Sequence, residues 1–131
     1  MTKSPCRHKE NGVATVEAVL IIPAAMTLLL FAVQACLWAH AANVVQAAAS
    51  QAVVAASLND GSTYVGTTDA KEFLAASASH VVIEPTVSSN DMSGGLIEVQ
   101  IRGWAEEVVP WLRLPVSATR TALIQEFRVS G

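Results

Sequence analysis

The sequence predicts an α+β fold: a long N-terminal helix, a short second helix and a small antiparallel sheet of about three strands. Three observations carry this expectation. An apolar, alanine-rich run without a strong breaker spans most of residues 12 to 58. A second, shorter helical pattern follows a stretch of turn formers. Beyond His80 the apolar spacing changes, and Leu96 to Gly103 alternates strictly. With 131 residues there is room for one membrane helix and one small domain.

The first element is the stretch GVATVEAVLIIPAAMTLLLFAVQACLWAHAA, Gly12 to Ala42. Ala18 to Ala39 carries no charge, and only Thr27 and Gln34 are clearly polar. As a helix this uncharged part is about 33 Å long, enough for a hydrocarbon core of ~30 Å. Pro23 removes one backbone donor a turn inside, which membrane helices tolerate better than soluble ones. Before the run, Lys3, Arg7 and Lys9 stand against Glu10, and the next basic residue is Lys71. The positive-inside rule therefore puts the N-terminus in the cytoplasm and the rest outside. The expected partition is a basic leader over 1–12, a transmembrane helix over 13–42 and an extracytoplasmic α+β domain over 43–131. Pro5 and the polar composition predict no regular structure in the leader.

Glu17 is the residue out of place. On its own it could be an interfacial carboxylate favoured near a helix N-terminus. Its spacing allows a second role. If the chain is cut after Gly12, Val13 becomes the N-terminus and Glu17 the fifth residue of the shortened chain. Its carboxylate could then accept the α-ammonium of Val13 in a neighbouring subunit, so that both charges enter an apolar environment together and fix the axial register.

The residues Asn11-Gly12-Val13-Ala14-Thr15-Val16-Glu17-Ala18-Val19-Leu20-Ile21-Ile22-Pro23 resemble the class III signal of the type IV pilin superfamily. Within it, the chain is similar to the TadE-like pseudopilins of the tight-adherence (Flp) pilus system. Many members carry an aromatic after the glutamate, where this chain has Ala18. The resemblance implies cleavage by a prepilin peptidase between Gly12 and Val13. It further implies pilin-like subunits and pilus assembly machinery as partners, and a minor role in initiating or assembling the pilus. Two rival processing signals remain open. Ala39-His40-Ala41 has the A-x-A form of a signal peptidase site, and Val33-Gln34-Ala35-Cys36 weakly resembles a lipoprotein site.

From His40 to Leu58 the helix is expected to leave the membrane and continue. Asn43, Gln46, Ser50 and Ser57 form its polar positions. Val44, Ala48, Ala52 and Ala55, with Val45, Ala49 and Val53, are available for close packing against a filament partner or the chain's own domain. Asn59 to Ser62 reads as the helix end, with Gly61 near the C-cap. A loop is expected to Thr68. Asp69-Ala70-Lys71-Glu72 then reads as a capping box opening a helix to about Ser79.

Val81 to Val87 is expected as a strand, edge-placed because of Pro85. Ser88 to Gly95 reads as a loop, and Leu96 to Gly103 as a half-buried strand with Ile97, Val99 and Ile101 inward. Val116 to about Phe127 reads as a third strand, although Ala122 to Glu126 also suits a helix. Between the last two lies a loop bearing Trp104, Trp111 and Leu112. These are candidates for partner contact or for the membrane interface, against the plainer role of capping a thin core. Glu106 and Glu107 lie in the same loop without a partner His or metal-ligand spacing, and read as a solvated acidic pair.

The net charge of −3 gives no sign of a nucleic-acid partner. There is no His/Cys cluster, Gly-rich phosphate loop or nucleophile motif, so no enzyme activity, metal, cofactor or small-molecule substrate is expected. Both cysteines, Cys6 and Cys36, precede the outer domain, so packing alone must hold it. The alternatives to a pilin-like protein are a single-pass anchor presenting a binding module, and a domain secreted after cleavage at Ala41.

Overall fold

The computed structural model of the protein describes residues 8–58 and 62–124. Helix α1 runs His8–Leu58 and α2 runs Thr63–Ser77. Three strands follow, β1 at Val82–Met92, β2 at Leu96–Ala105 and β3 at Pro115–Leu123. They form one antiparallel sheet in the order β1-β2-β3. The expected α+β architecture is present.

α1 is continuous because its sequence offers no effective stop. Pro23 lies inside it, and Thr27 Oγ1 donates to the Pro23 carbonyl at 2.8 Å, one turn back. The helix also takes in residues 8–12, where the sequence suggested no regular structure. Gly12 costs only about 1 kcal/mol in a helix interior, and adding residues to an existing long helix is far easier than starting a new one. The rest of the leader, residues 1–7, lies outside the described residues.

The two halves of α1 have different surroundings. From Gly12 to Val33 every residue is exposed. From Gln34 onward one face is covered by the remainder of the chain. Ala41, Val45, Ala48, Ala49, Ala52 and Ala56 have no exposed surface, and Val53 has little. This is the small-residue face expected from the sequence, and the chain's own α2 and sheet cover it. The globular part therefore reaches down the helix to Gln34, eight residues before the Ala42/Asn43 division drawn on composition.

Small side chains bring α2 unusually near α1. A Cβ placed on Gly66 would stand 2.9 Å from Ala56 Cβ and 3.2 Å from the Ala52 carbonyl oxygen. That contact corrects the expected start of α2. The Asp69 capping box is not the N-terminus; Asp69 lies within the helix. Ser62 is the cap, its Oγ accepting from the Val65 amide at 3.3 Å. Gly66 and its β-branched neighbours have weak helix propensity, and packing on α1 overrides it. The expected C-cap at Gly61 lies outside the described residues.

β2 follows its alternation: Ile97, Val99 and Ile101 are fully buried between the helices and the sheet. Each such side chain contributes about 1.5–3 kcal/mol of burial, so this row anchors the small core. β1 is an edge strand as expected, and its register slips between Ile83 and Thr86, around Pro85. It runs further than expected, however. Ser88, Ser89, Asn90 and Asp91 are strand rather than loop, paired with Gln100, Val99, Glu98 and Ile97. Ser89 Oγ also donates to the Thr63 carbonyl at 2.8 Å and lies 2.6 Å from Thr67 Oγ1, tying the strand to α2. The turn shortens to Ser93-Gly94-Gly95, with both glycines at positive φ. β3 pairs with β2 from Pro115 to Leu123, so the helical alternative fails at Ala122 and Leu123. The expected continuation toward Phe127 runs beyond the described residues.

Replacing Gly66 with Val should destabilise the outer domain by about 1–3 kcal/mol through overpacking at α1. Denaturation of the detergent-solubilised chain, followed by near-UV circular dichroism, checks this. An unchanged midpoint would mean that the helices do not approach so closely.

Candidate functional site

The features singled out in the sequence fall at two separate levels of α1. Gly12, Val13 and Glu17 lie in its exposed N-terminal half. A Cβ on Gly12 would meet nothing within 4 Å, so the backbone at the expected cleavage position is uncrowded. Val13 and Glu17 are one helical turn apart and share a face. Around them Val16, Val19, Leu20, Ile21 and Ile22 are all more than half exposed. A row of this kind on a lone helix is not sustainable in water and requires lipid or other helices.

The second level is where the globular part meets the helix. Gln34, read from the sequence only as a polar interruption, is 1 % exposed. Its Nε2 donates to the Glu106 carbonyl at 3.0 Å. Its Oε1 accepts from the amides of Val108 at 2.8 Å and Val109 at 3.2 Å. One side-chain amide thus satisfies three backbone groups of the β2–β3 loop, and the loop in turn satisfies the amide. A buried polar group that is fully partnered in this way fixes position where apolar packing alone would allow sliding.

Trp38, one turn further along α1, repeats the arrangement: its Nε1 donates to the Pro115 carbonyl at 3.1 Å. Higher still, Arg120 Nε donates to Ser50 Oγ at 3.2 Å. β3 therefore runs in the same sense as α1, away from Gln34, and the β2–β3 loop caps the end of the domain nearest the exposed half.

The structure brings Trp104 to this loop and places Trp111 and Leu112 in it. Arg113 lies over the Trp104 ring, 5.4 Å from its centroid, and 3.9 Å from the Glu84 carboxylate. Leu112 is half-buried. Trp111 is 87 % exposed and has φ of +67°, a conformation uncommon for a bulky residue. The turn explains the sign. Leu112 N donates to the Val109 carbonyl at 3.2 Å, with Pro110 second and Trp111 third, the position at which type II turns need positive φ. Tryptophan occupies a site that favours glycine, and its ring is held out into the surroundings. Glu106 and Glu107 are exposed as expected.

Gln34 is the residue that sequence reasoning did not reach. Its signal was a lone amide near the outer end of an otherwise apolar segment, but its loop partner is more than seventy residues away and offers backbone, which leaves no motif.

Residues 12–53 match the model of the family described as TadE-like protein. Over that segment, about a third of its length, the chain is similar to TadE-like proteins. The match begins at the glycine of the Gly12/Glu17 constellation and ends inside the small-residue face of α1, so it covers the segment that carried the sequence resemblance. Searches of curated proteins and of solved structures returned no significant match. The TadE-like resemblance points to a membrane protein associated with the Tad pilus. Helix α1 is long and apolar enough to cross a membrane, and no residue of its apolar window is buried.

Substituting Gln34 with Ala should free the loop at a cost on the order of 3 kcal/mol, because three backbone groups lose their partner. Hydrogen exchange at the Val108 and Val109 amides should accelerate sharply. Unchanged exchange at both would show that the bonds to Gln34 contribute nothing.

Proposed function

We propose that this protein is a minor pilin-like subunit that supports initiation or assembly of a Tad-type pilus. Prepilin peptidase cuts after Gly12 and leaves Val13 as the new N-terminus. Before assembly the exposed half of α1 holds the chain in the cytoplasmic membrane, with the N-terminus inside and the α+β domain outside. On assembly the helix passes from lipid into a bundle of pilin-like helices. There Glu17 accepts the α-ammonium of a neighbouring Val13 and sets the axial offset between subunits.

The observation that carries this reading is the coincidence of the TadE-like match with the exposed half of α1. The family signal, the Gly/Glu spacing and the exposed apolar surface overlap within residues 12–33, and the match continues along α1 to residue 53. A helix whose half is covered by its own domain and half bare suits a subunit that exchanges lipid for other helices. Dispersion and pairing of the two charges would hold it in the bundle. The basic residues of the leader, with none again before Lys71, support the orientation. The outer domain makes this chain larger than a subunit that is little more than a helix, which favours a minor over a bulk role.

Release of a secreted domain after Ala41 fits the structure poorly. Ala41 is fully buried, and the cut would strip Gln34 and Trp38 from the loop they hold. Exposed Trp111 favours the second reading, a single-pass anchor presenting a binding module, and Glu17 separates the two. In the pilin-like reading, Glu17→Ala leaves membrane insertion intact and impairs piliation. Normal piliation in that variant, with deletion of the gene abolishing pili, would remove the role assigned to Glu17. Mass spectrometry of the protein from its native cells should find a chain beginning at Val13. A chain beginning at Ala42 would overturn the reading, and an intact leader in cells with active prepilin peptidase would leave the anchored module.

A further inference from the structure

We propose that the β2–β3 loop from Trp104 to Arg113 is a lipid-contact surface, seated in the headgroup layer at the outer face of the membrane that α1 spans. The inference rests on the spanning part of the reading above and goes beyond it by fixing where the membrane ends and what the loop touches.

The first argument is length. The bare part of α1 runs from Val13 to Val33 and is about 31 Å long, close to the ~30 Å of a hydrocarbon core, with Glu17 one turn inside its inner edge, where its carboxylate still reaches toward the headgroups. It ends at Gln34, the residue that grips the loop. Extending the span to Ala42 instead would carry the loop about 12 Å further inward, taking the exposed Glu106 and Glu107 into hydrocarbon. Charged side chains there cost several kcal/mol each, even on the mildest scales. With Gln34 at the edge, both carboxylates remain among hydrated headgroups.

The second argument is aromatic placement. The chain has three tryptophans, and all three lie at this one level. Trp38 is one turn beyond Gln34, Trp104 pairs with Pro115, whose carbonyl Trp38 engages, and Trp111 tips the loop. Tryptophan concentrates where hydrocarbon meets water, because its ring is apolar and its N–H polar. Trp111 is the most exposed of the three, is flanked by exposed Val108 and Pro110, and is turned outward by its positive φ. Arg113, stacked over Trp104 and half-exposed, stands ready for lipid phosphate. The loop is joined to the span through Gln34, so its membrane-facing side continues the apolar surface of α1.

The test is depth-dependent quenching of tryptophan emission. Full-length wild-type protein and Trp111→Phe are reconstituted into phosphatidylcholine–phosphatidylglycerol vesicles that carry a nitroxide either near the headgroup or at the end of the acyl chain. The difference between the two proteins is the emission of Trp111, and the emission that remains in Trp111→Phe reports Trp38 and Trp104. Trp111 is exposed, so the substitution spares the fold, and far-UV circular dichroism verifies that. The expected result is strong loss of Trp111 emission with the shallow label and little with the deep one. Quenching of the remaining tryptophans without quenching of Trp111 would overturn the inference and leave the spanning helix standing. Strong quenching of Trp111 by the deep label would also overturn it, since the loop would then lie in hydrocarbon. No quenching of either signal would overturn the spanning reading and the inference with it.

Discussion

The structure depends on one constraint: a single helix has to satisfy two solvents. Its first half is apolar and exposed from Gly12 to Val33. Its second half presents alanine and valine to α2 and the sheet. Alanine gains little from burial, so this interface is held by proximity more than by area. The backbones can approach closely because neither side carries bulk, and dispersion is collected over a long, narrow contact. Gly66 on α2 is the extreme case, and it accounts for a glycine tolerated inside a helix. The larger gains come from Ile97, Val99 and Ile101, which close the sheet against the helices.

Polar contacts supply the positioning that such a smooth face lacks. Gln34, Trp38, Gln46 and Ser50 all engage the loop or β3, in ascending order along α1. They sit at the border of the alanine face and act as stops against axial sliding. Gln34 is the strongest of them, because it is buried and bonds three backbone groups. The ion pair between Arg113 and Glu84 is long and exposed, so it adds little by comparison.

What could be read from the sequence was whatever is encoded in local period. The helix, its small-residue face and the buried row of β2 follow from spacing alone, and the Gly12/Glu17 spacing led to the family that the N-terminal match supports. What escaped is encoded by contact. Asp69 resembled a cap because Gly66 lowers local helix propensity, and only the proximity of α1 reverses that. Ser88 to Asp91 resembled a loop because their side chains are turn formers, while the hairpin partner and α2 hold them extended. The grip of Gln34 joins a side chain to a distant backbone and leaves no trace in either local pattern. Hydropathy, likewise, measures how apolar a residue is, not whether lipid or protein surrounds it. For that reason composition drew the edge of the span at Ala42, whereas packing against the domain begins at Gln34.

The unbroken path of α1 has a rotational consequence. Successive residues turn by about 100° around a helix axis. Glu17 and Gln34 lie on one continuous helix, so the direction in which the carboxylate faces determines the direction in which the whole outer domain faces. Nothing between them acts as a swivel: Pro23 is absorbed into the helix, and the described helix has no glycine after Gly12. In a bundle of such helices, the azimuth chosen at the membrane-embedded end would be copied to the surface, and every subunit would display the same side outward. A single inserted residue between the two levels would swing the domain by roughly a quarter of a circle, although both ends would remain individually intact.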